Sequence, residues 1–164
     1  IQIEEDNSEV LMNLLREVKI ISKLNHPSVL IFLGYSPIDF KRKPRPVIIT
    51  ELALNSSLED IIQLERRNKS VCDSTRKLII IYGIASVMSY LHLHNIIHRD
   101  LKPASILIDS FLFPKIANFG LSKFNHTNFE SMANNSDINT AKGTPIYIAP
   151  EIWRHGEYSK SSDT

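Results

Sequence analysis

An α+β fold with its helices gathered into one half is what the sequence predicts, and three observations carry it. Two stretches, Leu11 to Ile21 and Ile80 to Leu91, carry apolar residues at helical spacing. Short runs such as Val47-Ile48-Ile49-Thr50 are β-branched and read as strands. The order of elements is helix, strands, two helices, paired short strands and a long polar loop, which is the α+β pattern.

Each element has a local reason. Asp6-Asn7-Ser8-Glu9 reads as a helix start, because acidic residues suit the positive end of a helix. Leu11, Leu14, Leu15, Val18 and Ile21 form its apolar stripe. It should end near Asn25-His26-Pro27, since a proline disfavours helix in the residue before it. Val29 to Tyr35 reads as a strand, Ser36 to Pro46 as a charged, proline-rich turn, and Val47 to Thr50 as a second strand. Ser56 and Glu59 have the spacing of a capping box, opening a short helix through about Arg67. Asp73 caps a longer helix with the stripe Ile80, Ile84, Val87, Met88 and Leu91, which Asn95 ends. Ile106-Leu107-Ile108 and Lys115-Ile116-Ala117 read as paired strands, and Asn118 to about Pro145 as one long loop of the kind that is functional or disordered.

Bulk composition excludes several classes. The chain has 164 residues, 43% hydrophobic and 23% charged, enough apolar material for a core. Its net charge of +1 gives no field that would favour nucleic acid or a membrane surface. The basic run Lys41-Arg42-Lys43 is short and followed by prolines, so it reads as a solvated loop. Leu78 to Met88 is too short to span a bilayer. Cys72 is the single cysteine, which excludes an internal disulfide and fits a reducing, intracellular setting, expected to be the cytoplasm. The chain opens on Ile1 and reads as an internal piece of a longer protein.

The run Ile97-His98-Arg99-Asp100-Leu101-Lys102-Pro103 lies just after a helix and just before a strand. It resembles the catalytic loop of the eukaryotic protein kinases, and Lys102 is the residue that serine/threonine-type members carry there. Further markers follow the family's order: Glu17 before Leu24-Asn25-His26-Pro27, Thr50-Glu51-Leu52-Ala53, Asn55-Ser56-Ser57-Leu58, Gly143-Thr144-Pro145, Ala149-Pro150-Glu151 and Asp163. The hinge, the turn after it and the Gly143 to Glu151 segment look most like the tyrosine-kinase-like group of serine/threonine kinases.

This resemblance implies a two-lobed protein-kinase-like fold, truncated at both ends. Residues 1–50 would be the rest of the small lobe, 51–55 the hinge, and 56–164 part of the large lobe with an activation segment at 118–151. It also implies ATP as phosphoryl donor, Mg²⁺ as cofactor, and a protein substrate or partner kinase. Asp100 would orient the substrate hydroxyl and accept its proton, and Lys102 would offset charge on the transferring phosphate. Glu17 would pair with an ATP-anchoring lysine upstream of Ile1. Thr50 would be the gatekeeper, Glu51 and Ala53 would meet adenine through backbone groups, and Leu107 would form the adenine floor. Arg99 would pair with an activation-loop phosphate, with Thr140 the best phosphorylation candidate over Ser131 and Ser136. Thr144 would contact the substrate segment or Asp100, Asp163 would anchor the catalytic loop, and His98 would pack beside Phe119.

Two positions depart from the family pattern, and both hold metal. Asn118-Phe119-Gly120 stands where the family has Asp-Phe-Gly, and Ser105 stands where it has asparagine. Mg²⁺ prefers anionic oxygens in a strict octahedron, so a neutral amide and a short hydroxyl should weaken it. The family's glycine-rich loop lies outside the sequence, and a fragment with unpartnered apolar faces is not expected to fold stably alone. His92 and His94 are two apart, on different helix faces, and do not read as a metal site. Two functions follow: ATP-dependent transfer to Ser or Thr hydroxyls with an impaired metal site, or a pseudokinase that works by docking.

Overall fold

The computed structural model describes residues 3–67, 72–124, 143–155 and 158–163. Helix α1 spans Ile3–Ile21. It starts ahead of the expected Asp6-Asn7-Ser8-Glu9 cap, which lies inside it. Acidic residues suit the first turn as well as the cap, so composition alone does not separate the two. It also ends before Asn25-His26-Pro27. Lys23 and Leu24 donate to the carbonyls of Ile20 and Ile21 at 3.1 and 3.2 Å, and the helix tightens and stops. Its stripe reaches the core only at the last turn: Ile20 and Ile21 are buried, whereas Leu11 and Leu15 are exposed.

Strands β1 (Phe32–Ser36) and β2 (Val47–Thr50) pair antiparallel, with a register shift between Phe32 and Gly34. The first strand therefore begins later than the expected Val29. Val29 instead bridges Ile116 in parallel, with Ile116 N–H donating to Ser28 at 2.7 Å.

Helix α2 (Leu58–Arg66) has a complete capping box, but from Ser57 and Asp60 rather than from Ser56 and Glu59. The backbone explains the shift by one. Ser56 is left-handed, with φ 62°, and its carbonyl accepts Ile108 N–H at 3.0 Å. Ser57 is extended, as a cap must be, and its hydroxyl accepts from Asp60 N–H. Helix α3 (Ser74–Leu93) is capped by Asp73, whose Oδ1 accepts Arg76 N–H at 2.8 Å. Its stripe turns inward, with Ile80, Val87, Met88 and Leu91 buried.

Two further pairs follow, β3 (Ile96–Ile97) with β6 (Lys123–Phe124), and β4 (Ile106–Ile108) with β5 (Pro114–Ile116). Strand β5 sits one residue earlier than expected, because Ala117 N–H turns to the Ser105 carbonyl at 2.9 Å. The β3–β6 pair was not legible in sequence, since two residues carry no periodicity. Helix α4 spans Pro150–His155 and begins on a proline, which suits a first helical position.

The core gathers Ile20, Ile21 and Val29 with Ile80, Val87 and Leu91 of α3, Ile106, Ile108 and Ile116 of the β4–β5 pair, and Phe119. Close approach of α3 to β5 depends on Gly83. A Cβ there would lie 2.5 Å from Pro114 Cγ. The turns leading into β4 and out of β5, at 98–105 and 117–120, lie at the same end of that antiparallel pair.

Candidate active site

Asp100 is the hub of the polar residues that these turns bring together. It is 7% exposed. Thr144 donates to its Oδ1 twice, from the backbone N–H at 3.0 Å and from Oγ1 at 2.8 Å. Lys102 Nζ lies 2.8 Å from its Oδ2 and also donates to Thr144 Oγ1. Asn118 Nδ2 donates to the same Oδ2 at 3.3 Å. Burial pushes the Asp100 carboxyl upward, but Lys102 and Thr144 outweigh burial and hold it below the usual carboxylate range. An ionised carboxylate beside an ammonium and a hydroxyl can orient a nucleophilic hydroxyl and take its proton.

The backbone that presents Asp100 is anchored from the far end of the chain. Asp163, 5% exposed, accepts His98 N–H on Oδ2 at 2.6 Å and Arg99 N–H on Oδ1 at 2.7 Å. His92 Nε2 lies 3.3 Å from the same Oδ2. These bonds hold Arg99 in a left-handed conformation, φ 67°, that costs a non-glycine residue on the order of 1–2 kcal/mol. His98 is fully buried, edge-on to Phe119 with ring centroids 5.2 Å apart. Its Nε2 faces the Ala117 carbonyl at 3.1 Å and its Nδ1 accepts Asp100 N–H at 3.3 Å. Burial pushes the imidazole down, against the opposing pull of Asp163, so it is neutral.

Gly143 lets the 143–148 segment approach. Its φ is 129°, and a Cβ would meet the Arg99 carbonyl at 2.8 Å. A cavity of about 190 Å³ adjoins Asp100 and is lined by Thr144, Tyr147, Ile152 and Tyr158 among others.

The remaining candidates divide. Glu17 accepts Phe119 N–H at 3.2 Å, and burial pushes its carboxyl up against that bond's lowering effect. Arg99 Nε donates to the Leu121 carbonyl at 2.5 Å, and its guanidinium stands 5.2 Å from the Tyr158 ring centroid. Thr140, Ser131 and Ser136 lie outside the described residues. Thr50 ends β2, and the run after it alternates: Leu52 and Leu54 are exposed while Ala53 between them is half-buried. Asn55 N–H donates to the Ile108 carbonyl at 3.0 Å, which ties this run to the strand carrying half-buried Leu107. Sequence reasoning gave the Glu51 side chain no role. Its Oε1 accepts Ile31 N–H at 2.9 Å and pairs with Lys115 at 3.1 Å. It also missed Ser122, fully buried, which donates to the His98 carbonyl at 3.1 Å. No local pattern announces either partner.

The two positions expected to hold metal, Ser105 and Asn118, supply no anionic oxygen to a hard divalent cation. Ser105 is 2% exposed and donates its hydroxyl to the Asp100 carbonyl at 2.9 Å. Asn118 offers Asp100 an amide N–H and brings no charge. No group of three or more His, Cys, Asp or Glu side chains suited to a metal occurs among the described residues.

Comparison with known proteins identifies the family. The family model described as the protein kinase domain matches residues 1–164. The chain is 33% identical over 166 residues to the serine/threonine-protein kinase CTR1 of Arabidopsis thaliana, covering 99% of this chain and 19% of that protein. It is 37% identical over 150 residues to cysteine-rich receptor-like protein kinase 11 of the same plant, covering 90% and 21%. To its serine/threonine-protein kinase STY17 it is 32% identical over 161 residues, covering 98% and 26%. The chain thus spans about a fifth to a quarter of the length of these relatives. No helix among the described residues is long and apolar enough to cross a membrane.

Proposed function

Because the chain belongs to the protein kinase family, we propose that the intact protein transfers the γ-phosphoryl group of ATP to Ser or Thr hydroxyls of a protein, at a rate limited by an impaired metal site. The observation that carries this reading is the cluster of Asp100, Lys102 and Thr144, whose contacts lie at hydrogen-bond distance. Asp100 takes the proton of the attacking hydroxyl as its oxygen bonds to phosphorus and the bond to ADP breaks. Lys102 offsets charge on the transferring group. Divalent metal, where the family binds it, neutralises phosphate charge. Here Ser105 and Asn118 supply no anionic oxygen for that task. Glu51 and Ala53 present backbone groups to adenine with Leu107 beneath, and Glu17 and Thr50 border the same nucleotide.

The test is phosphate transfer by the intact protein against an Asp100→Ala control. Wild type should exceed the control, and Asn118→Asp with Ser105→Asn should raise its rate about tenfold or more, equivalent to ~1.4 kcal/mol of barrier. Equality of wild type with the control, and no gain on restoration, sinks the enzymatic reading.

A second reading is favoured by the Asn118 to Asp100 hydrogen bond, which engages the carboxylate that transfer would use. The domain is then a pseudokinase that acts by docking to a partner, and Asp100→Ala leaves its cellular role intact.

A further inference from the structure

The turn joining β1 to β2 gathers four cations, Lys41, Arg42, Lys43 and Arg45, all of them exposed. A net charge of +1 over the whole chain conceals this local excess. Among the described residues, none of the four pairs with an acidic side chain. The one carboxylate in the turn, Asp39, is engaged by the turn's own backbone. Its Oδ1 accepts Lys41 N–H at 2.8 Å and Lys43 N–H at 2.9 Å. Asp39 N–H donates to the Lys43 carbonyl at 3.0 Å, Arg42 N–H to the Asp39 carbonyl at 2.9 Å, and Ser36 Oγ to the Ile38 carbonyl at 2.7 Å. The sequence reads here as a solvated loop, but the structure shows a pre-formed turn, which loses little freedom on binding. It also holds Phe40 in water, 91% exposed, the most exposed of the large apolar residues described. Ile38 beside it is 47% exposed. A ring and an aliphatic chain displayed this way gain nothing from the fold itself.

We propose that the β1–β2 turn is a membrane-contact site that takes an anionic lipid surface. Phe40 and Ile38 enter the boundary between headgroups and acyl chains, while Lys41, Arg42, Lys43 and Arg45 face acidic headgroups. A soluble polyanion would match the cations but leave Ile38 and Phe40 without an apolar partner, whereas a bilayer matches both. Four cations and one inserted ring give reversible binding, which orients the domain rather than anchoring it. The site is separate from the cluster around Asp100 and does not depend on phosphoryl transfer.

The experiment is co-sedimentation of the intact protein with vesicles, either of pure phosphatidylcholine or of phosphatidylcholine with about one-third phosphatidylserine. Wild type partitions about tenfold more strongly onto the anionic vesicles, and added salt reduces the difference. Lys41→Gln with Arg45→Gln lowers that binding about tenfold. Phe40→Ser lowers it about fivefold, and Phe40→Trp keeps it. Emission of Phe40→Trp, with the wild-type signal of Trp153 subtracted, shifts to the blue on anionic vesicles only. The proposal is overturned if wild type shows no preference for the anionic vesicles, or if the glutamine pair binds them as wild type does. It is equally overturned if Phe40→Ser loses nothing, since the turn would then be an electrostatic site for acidic macromolecules. Should the serine or glutamine variants melt below wild type, the Phe40→Trp emission decides, and no blue shift overturns the proposal. Absence of phosphotransfer would sink the enzymatic reading and leave this result standing.

Discussion

Thr144 approaches Asp100 with two donors, one of them a side-chain hydroxyl 2.8 Å from Oδ1. A hydrogen bond to a charged acceptor contributes roughly 1.5–3 kcal/mol. Thr144→Ala should therefore lower the unfolding free energy by about 1–2 kcal/mol in urea titration, with part of the loss spared by the remaining backbone N–H. Thr144→Ser should retain most of it. His98 gives the residue-scale pH dependence. Its Nδ1 accepts Asp100 N–H, so a proton added there would face another donor. Burial holds its folded-state value below the ordinary 6.5. The unfolded chain then takes the proton first, so this contribution is full above about pH 6.5 and is lost as pH falls below it. Melting temperature followed from pH 8 to pH 5 should drop below that point, and His98→Leu should flatten the drop.

At the scale of elements, caps and close approaches carry the sharpest expectations. Asp73 satisfies Arg76 N–H at the start of α3, and Asp73→Ala should cost about 1 kcal/mol, read by chemical denaturation. Gly83 is a different case. The added methyl of Gly83→Ala would meet Pro114 Cγ at 2.5 Å and Ser28 Oγ at 3.1 Å, so α3 and β5 must separate. Overpacking of this kind costs roughly 1–3 kcal/mol, and the loss should exceed that of an alanine placed at an exposed α3 position. Most elements were legible in sequence because their signals are local. Val47–Thr50 and Ile106–Ile108 match the expected strands, and Asp73 caps the expected helix. The α2 cap was misread by one residue. Two adjacent serines look alike in sequence, and only the β4 hydrogen bond to Ser56 decides between them.

At the scale of the whole molecule, Asp163 joins the end of the described chain to its centre. It receives backbone donors 64 and 65 residues away. Asp163→Ala would leave two N–H groups of a buried turn without their acceptor and should destabilise by about 2–4 kcal/mol. Asp163→Asn keeps one acceptor oxygen and should lose less. Amide hydrogen exchange at His98 and Arg99 distinguishes this from a general loss of packing, since those two amides should become fast first. The exposed faces of α1 and α3, including Leu11, Leu15, Leu78, Ile81 and Tyr82, show that much apolar surface lies outside this core.

The sequence by itself determined the family, the order of the elements, the α+β class and the residue types at each chemical position. Those properties rest on periodicity, capping and short motifs, which act over a few neighbouring residues. Tertiary structure alone decided which groups meet. Asn118 reaches Asp100 across 18 residues, Thr144 across 44, and Asp163 reaches His98 across 65. Such contacts follow from the packing of α3 against the β-hairpins, which brings separate turns to one side of a shared core. That Asn118 and Ser105 turn their donors onto Asp100 is a fact of this packing, and no local pattern in the chain encodes it.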